Sequence, residues 1–179
     1  DVDTTARKGS LNKIIDSFKN KEFNVLIGTQ MIAKGLDFSD VTLVGVVSGD
    51  ASLNIPDFRS AERTFDLLNQ VAGRAGRGTE PGEVIIQGFN IEHYSIVCAS
   101  NHNYHEFYEE EMKIRKKLKY PPYCNICLLK LSGKEQSTLF EEANKIVKYL
   151  SNLSKIIILG PSSANIPKVN NIYYVNVII

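Results

Sequence analysis

The chain has 179 residues, 43% of them hydrophobic and 23% charged, and a net charge of +1 at pH 7. That is apolar material for one large or two small domains, and it excludes a global basic field, so any nucleic-acid contact must come from local patches. Three cysteines suit a reducing cytoplasm better than a disulfide framework, and no apolar run approaches the roughly 20 residues that span a bilayer. The expectation is a cytoplasmic protein without a membrane anchor. The first residues, Asp1-Val2-Asp3-Thr4-Thr5, carry neither methionine nor a leader pattern, so the chain is expected to be a fragment of a longer polypeptide.

In chain order, residues 10–20 read as a helix, because Leu11, Ile14, Ile15 and Phe18 make one stripe at helical spacing and Ser10 suits the N-cap. Residues 24–28 read as a short apolar strand. Residues 31–34 start a short helix ended by Gly35, and 41–47 form a second, β-branched strand. A loop follows over 48–58. The helix expected at 60–72 turns Phe65, Leu68, Val71 and Ala72 inward, and 82–89 form a third strand. Apolar strands alternating with helices predict a parallel sheet covered on both faces, an α/β arrangement. Further helices are expected at 92–101 and 104–120, the second strongly polar and stopped by Pro121-Pro122. The pattern then changes to strand 123–131, helix 135–153, strand 155–159, a turn at Gly160-Pro161 and a last strand 173–179. These make a smaller α+β unit, so the expected domains are 1–102 and 103–179, the second a truncated one.

Three motifs stand in order along the first part. Val25-Leu26-Ile27-Gly28-Thr29-Gln30-Met31-Ile32-Ala33-Lys34-Gly35-Leu36-Asp37-Phe38 sits at the end of an expected strand, where parallel sheets place ligands. A threonine hydroxyl and backbone amides there can hold a nucleic-acid phosphate, and the Gly-x-Asp of Gly35 and Asp37 can approach a nucleotide closely. Pro56-Asp57-Phe58-Arg59-Ser60-Ala61-Glu62-Arg63-Thr64-Phe65 comes next. Gln70-Val71-Ala72-Gly73-Arg74-Ala75-Gly76-Arg77 is the third. Guanidinium forks recognise phosphate and stabilise the charge that develops in phosphoryl transfer, while glycines let the backbone turn tightly.

Together these motifs resemble the carboxy-terminal half of the PriA family, the primosomal replication-restart DNA helicases of bacteria, which belong to superfamily 2. A bare Gln-x-x-Gly-Arg-x-x-Arg is shared by many superfamily 2 helicases. The joined Gly28-Thr29-Gln30-Met31-Ile32-Ala33-Lys34-Gly35 and Pro56-to-Phe65 wording is far more particular. The resemblance extends to Lys8-Gly9, Glu109-Glu110-Glu111, Arg115, Tyr120-Pro121-Pro122-Tyr123 and Leu159-Gly160-Pro161. It implies a RecA-like helicase lobe 2, with helicase motifs V and VI, followed by part of the family's carboxy-terminal domain. It places Arg74, Arg77 and Gln70 in the catalytic site. Gly35, Asp37, Gln70, Arg74 and Arg77 would face the nucleotide, and Thr29, Gln30 and Lys34 the DNA. ATP and Mg²⁺ would be held mainly by a first lobe, whose phosphate-binding Gly-Lys loop and Asp-Glu-x-His box this sequence lacks. The family's clustered zinc cysteines are also absent, so zinc belongs to the intact family member and no metal to this chain. The implied activity is 3′ to 5′ ATP-dependent unwinding at stalled replication forks, as the start of primosome assembly. The implied partners are forked and single-stranded DNA, the single-strand DNA-binding protein and other primosome proteins, in a nucleoid-associated setting. The fragment alone is expected to lack ATPase activity.

The family pattern is broken at Leu36, where histidine is common, so position 36 is not expected to be a required catalytic group. Tyr173-Tyr174 stands where an arginine beside an aromatic is common. Plainer readings stand beside several of these assignments. Arg74 and Arg77 can pair with carboxylates at a helix end, Thr29 can be a strand-end cap, and Lys34 a solvated lysine. Arg59, Glu62 and Arg63 suit an ion-pair lattice. Cys124-Asn125-Ile126-Cys127 lies in an expected strand, where residues three apart face opposite sides, which disfavours zinc. Lys113, Arg115, Lys116, Lys117 and Lys119 form either a DNA patch or the basic end of a helix that begins with Glu106, Glu109, Glu110 and Glu111. In that second reading, Glu109–Lys113 and Glu111–Arg115 are i,i+4 pairs. At the level of function, the alternatives are another superfamily 2 translocase or a non-catalytic DNA- or protein-binding module.

Overall fold

The computed structural model describes residues 9–33, 38, 40–73, 75, 81–153 and 156–179. The chain divides into two compact units, Asp1–Ile114 and Arg115–Ile179. The sequence-based boundary near residue 103 lies most of a helix away from this division, because Phe107 packs into the core of the first unit.

The first unit opens with α1 (Ser10–Lys19), whose Ile15 is buried at the centre of the expected stripe. Ser10 is inside the helix and not its cap. Gly9 takes the cap position at φ 86°, a left-handed conformation that glycine adopts without penalty. The strand expected at 24–28 is not formed. No neighbouring strand among the described residues receives its backbone groups, and Val25 and Ile27 are exposed. α2 (Gln30–Ala33) follows, then β1 (Leu43–Val46), a 3-10 turn (Ala51–Asn54), α3 (Ser60–Ala72), β2 (Glu83–Ile86), α4 (Tyr94–Ser100) and α5 (Tyr104–Leu118).

β1 and β2 pair in parallel, from Leu43 opposite Glu83 to Val46 opposite Ile86. Both strands alternate exposed and half-buried residues. Val46 and Ile86 pack on a helical core of Phe65, Leu68, Ile96, Cys98, Ala99 and Phe107. Leu43 and Ile85, on the other face, are exposed. The expectation of a sheet covered on both sides therefore fails among the described residues: one face carries the helices and the other is open.

The second unit is α+β, as expected. β3 (Leu128–Gly133), α6 (Gln136–Leu150), β4 (Leu159–Val169) and β5 (Ile172–Ile178) form an antiparallel sheet of order β3-β5-β4 with α6 across one face. Leu139 and Ala143 of α6 meet Val175 and Val177 of β5. The turn expected at Gly160-Pro161 is instead part of β4. Gly160 sits at φ 105°, where an added Cβ would stand 2.9 Å from the Asn176 carbonyl oxygen. β4 is an edge strand with a register shift between Leu159 and Ser162, so the missing N–H of Pro161 removes no essential ladder bond.

Candidate functional site

The candidate residues lie at the two ends of short elements in the first unit. α3 buries Ser60, Thr64, Phe65 and Leu68 along one face. Its two buried hydroxyls are satisfied locally: Ser60 Oγ donates to the Ile55 carbonyl at 2.7 Å and Thr64 Oγ1 to the Ser60 carbonyl at 2.8 Å. Gln70 is exposed in the last turn, and the Gly73 N–H closes the helix on the Asn69 carbonyl. Arg74 and Arg77 lie outside the described residues. The exposed amide of Gln70 is thus the described member of the expected catalytic set.

The other end of α3 is organised by a carboxylate. Asp57 accepts hydrogen bonds from the Arg59 backbone N–H at 3.0 Å and from Arg59 Nε and Nη2, each at 3.1 Å. Arg63 Nη1 joins at 3.0 Å. The Arg59 side chain is the first cause holding the Asp57 carboxyl below its usual range. Arg59 also lies over the Phe58 ring at 5.3 Å. Asp57, Arg59 and Arg63 therefore form an ion-pair lattice, but one organised by Asp57, where the plainer sequence reading grouped Glu62 with the two arginines.

Thr29 and Gln30 stand exposed at the start of α2, and the Thr29 carbonyl accepts the Ile32 N–H at 3.0 Å. Gly28 is needed just before them, since a Cβ there would come within 2.9 Å of Ile32 Cγ2. α2 lies against α3. Lys34, Gly35 and Asp37 lie outside the described residues.

Two polar devices lie outside the residues that the sequence analysis singled out as functional. Asp50, buried after β1, accepts the backbone N–H groups of Phe89 and Asn90, both at 2.8 Å. The Asn90 bond is the leading cause that lowers the Asp50 pKa. Asp50 looked like a loop residue because its partners are 39 and 40 positions away. Glu111 is also buried and accepts the Tyr94 hydroxyl. It stands four residues after buried Phe107, and that helical spacing was the signal that it faces inward.

Along α5 the expected charge order holds, with Glu106 in the first turn and Arg115, Lys116 and Lys117 in the last. Lys113 pairs with Glu110 at 2.7 Å, three residues back, where Glu109 at four was expected. The Cys124-to-Cys127 segment is not a strand: it precedes β3, and the Cys124 thiol donates to the Lys119 carbonyl at 2.7 Å. Among the described residues no three His, Cys, Asp or Glu side chains gather as metal ligands.

Comparison with known proteins divides the chain in the same way. Residues 2–79 match the helicase conserved C-terminal domain, and residues 116–179 match the Primosomal protein N C-terminal domain. The replication restart protein PriA of Bacillus subtilis is 49% identical over 175 residues, which are 97% of this chain and 22% of that protein. The protein of the same name from Synechocystis is 44% identical over 175 residues, 97% of this chain and 21% of that one. The one from Treponema pallidum is 36% identical over 181 residues, 99% and 28% respectively. The chain spans between 21% and 28% of the length of these relatives.

Proposed function

We propose that this chain, which belongs to the PriA family as part of its carboxy-terminal region, is half of an ATP-driven DNA motor that acts in replication restart. The first unit serves as the RecA-like second lobe. It closes over a nucleotide held mainly by a first lobe and brings Arg74, Arg77 and Gln70 to the γ-phosphate, with Gly35 and Asp37 beside the nucleotide. Thr29, Gln30 and Lys34 grip one DNA strand. ATP with Mg²⁺ supplies the hydrolysis that drives alternating grip and release, moving the motor 3′ to 5′.

The observation that carries this reading is the packing of α2 against α3. The segment proposed to grip DNA, which begins at Thr29, rests on the helix whose last turn carries Gln70. A shift of α3 on hydrolysis therefore has a direct mechanical route to the strand-binding end of α2. Among the described residues, the exposed amide of Gln70 offers a hydrogen-bonding group toward the nucleotide. The second unit supports a nucleic-acid partner by charge. Residues 115–179 carry ten Lys and Arg against three Glu, a sevenfold net positive charge hidden in the near-neutral total. Forked DNA, the single-strand DNA-binding protein and other primosome proteins are the proposed partners.

The test is DNA-stimulated ATP hydrolysis by the full-length protein. Arg77→Ala is expected to cut turnover by ~10³–10⁵, the range for a lost arginine finger, while fork binding is largely retained. Wild-type turnover in that variant removes Arg77 from the site. The chain alone is expected to hydrolyse no ATP, and robust DNA-stimulated turnover by it overturns the half-site reading. The charge of the second unit also suits a non-catalytic DNA-binding module. A full-length protein that binds forks but shows no ATPase under any DNA condition would establish that alternative.

A further inference from the structure

The C-terminal ends of β1 and β2 form a rim stitched from two loops. The Gln87 N–H donates to the Val46 carbonyl at 2.9 Å, and the Gly49 N–H donates to the Gln87 carbonyl at 2.8 Å. Asp50 then takes the N–H groups of both Phe89 and Asn90. The packing leaves no slack. A Cβ at Gly49 would stand 2.8 Å from Ile86 Cγ2, and one at Gly88 would stand 2.8 Å from Asp50 Oδ1. Ser48 sits at φ 56°, a left-handed conformation uncommon for a residue with a side chain. Strain and close packing at the C-terminal ends of parallel strands are hallmarks of ligand positions.

This fixed rim presents one aromatic ring to solvent. Phe89 is 97% exposed, the most exposed large apolar side chain among the described residues. Along the rim stand exposed Ser48, Gln87 and Asn90, with Val47 and Ile91 as the other exposed apolar side chains. An apolar protein partner wants a broad apolar patch, whereas a nucleobase wants a single flat ring with amide and hydroxyl groups beside it. Asp50 is buried and engaged by backbone donors, so its charge is turned away from the surface, and the nearest exposed carboxylate along the chain is Glu92, three residues after Phe89.

We propose that Phe89, held by the Asp50-stitched rim at the ends of β1 and β2, stacks on an unpaired base of single-stranded nucleic acid. The inference rests on the nucleic-acid reading above and deepens it. The Phe89 backbone is held by Asp50, so only the two side-chain torsions of the ring are ordered on binding. The contact is sequence-tolerant, because every base offers a π-face.

The experiment is anisotropy titration of the full-length protein with a labelled oligothymidine, at one salt concentration, for wild type, Phe89→Ala, Phe89→Leu and Phe89→Tyr. Loss of one stacked base is expected to weaken binding about tenfold in the Ala and Leu variants, with Tyr near wild type. An oligonucleotide carrying abasic positions should weaken binding to wild type and leave Phe89→Ala unaffected. Equal affinities across the series overturn the proposal. So does a Leu variant that binds as wild type, which indicates apolar packing against other polypeptide. Melting temperatures separate that case further: a ring packed on protein lowers stability on removal, and a solvent-facing platform does not. Absence of oligothymidine binding by the wild type sinks the nucleic-acid reading itself. Binding by the wild type that is indifferent to Phe89 sinks only this inference.

Discussion

The two units solve the problem of a small sheet in opposite ways. In the first, two parallel strands have helices on one face and expose Leu43 and Ile85 on the other. In the second, three antiparallel strands satisfy one another through β5 and bury one face under α6. Parallel strands cannot be joined by a tight turn, so their partners come from distant sequence and include long crossovers. Antiparallel strands find partners nearby, as β4 and β5 do across Asn170 and Asn171. Charge divides along the same line: residues 1–114 carry eleven Lys and Arg against seventeen Asp and Glu, while the second unit is strongly basic. The first unit thus works through a few positioned polar groups at strand and helix ends, and the second through an excess of positive charge. An isolated motif is informative in the first and a whole-unit count in the second.

The sharpest way to break this comparison is to damage one core at a time. Leu68→Ala and Leu139→Ala should each cost about 2–5 kcal/mol, Leu68 the more because it is 1% exposed against 7% for Leu139. Calorimetry of the chain is expected to show each substitution lowering one transition. A single transition moved equally by both would mean that the units melt as one. Next in size is Tyr94→Phe, which deprives buried Glu111 of its hydroxyl donor and should cost about 1.5–3 kcal/mol of first-unit stability. An unchanged denaturation midpoint would mean that water or another donor replaces the hydroxyl.

A smaller effect of opposite sign is expected at the end of α5. Lys119 takes a left-handed φ of 55°, while the Tyr120 N–H reaches the Arg115 carbonyl at 2.8 Å in a Schellman closure. Glycine is the usual residue there, so Lys119→Gly should stabilise the chain by about 0.5–1 kcal/mol. A lowered melting temperature would show that the lysine side chain contributes more than its backbone strain costs.

The smallest expected effect is a pH dependence. His93 caps α4 by accepting the Ser95 N–H through Nδ1, and its ring lies 4.4 Å from that of Tyr94. Burial, the larger influence, lowers its pKa, and Glu111 partly opposes this. Below the free histidine value of about 6.5 the unfolded chain therefore binds protons before the folded one does. Stability is kept at neutral pH and lost as pH falls through that value toward the folded pKa. His93→Asn keeps a cap acceptor without the titration, so its melting temperature should fall less between pH 7 and pH 5. Parallel pH curves for the two proteins would remove His93 as the cause.

What could be read along the chain was whatever local periodicity and punctuation specify. α3 runs from Ser60 to Ala72, the span its apolar spacing predicts, and α6 is close to its expected limits because its stripe and its flanking polar residues agree. The resemblance carried by Gly28-to-Gly35, Pro56-to-Phe65 and Gln70-to-Arg77 was likewise complete in the sequence, since a motif is an ordered string. Strands were a different matter. Residues 24–28 have the composition of one, yet a strand exists only where a neighbour receives its hydrogen bonds, and that is not a local property. β4 was hidden behind Gly160-Pro161, which signals a turn unless the strand lies at an edge and bulges there. Asp50 and Phe89 were hidden for the same reason, and so was the Tyr94 partner of Glu111, because each role depends on a partner far along the chain or on the solvent around it. Sequence by itself determined helices, motif order and family. Tertiary structure alone decided which polar groups are buried, which face of the sheet is open and which aromatic ring is held out to solvent, because those outcomes depend on contacts between residues that only folding brings together.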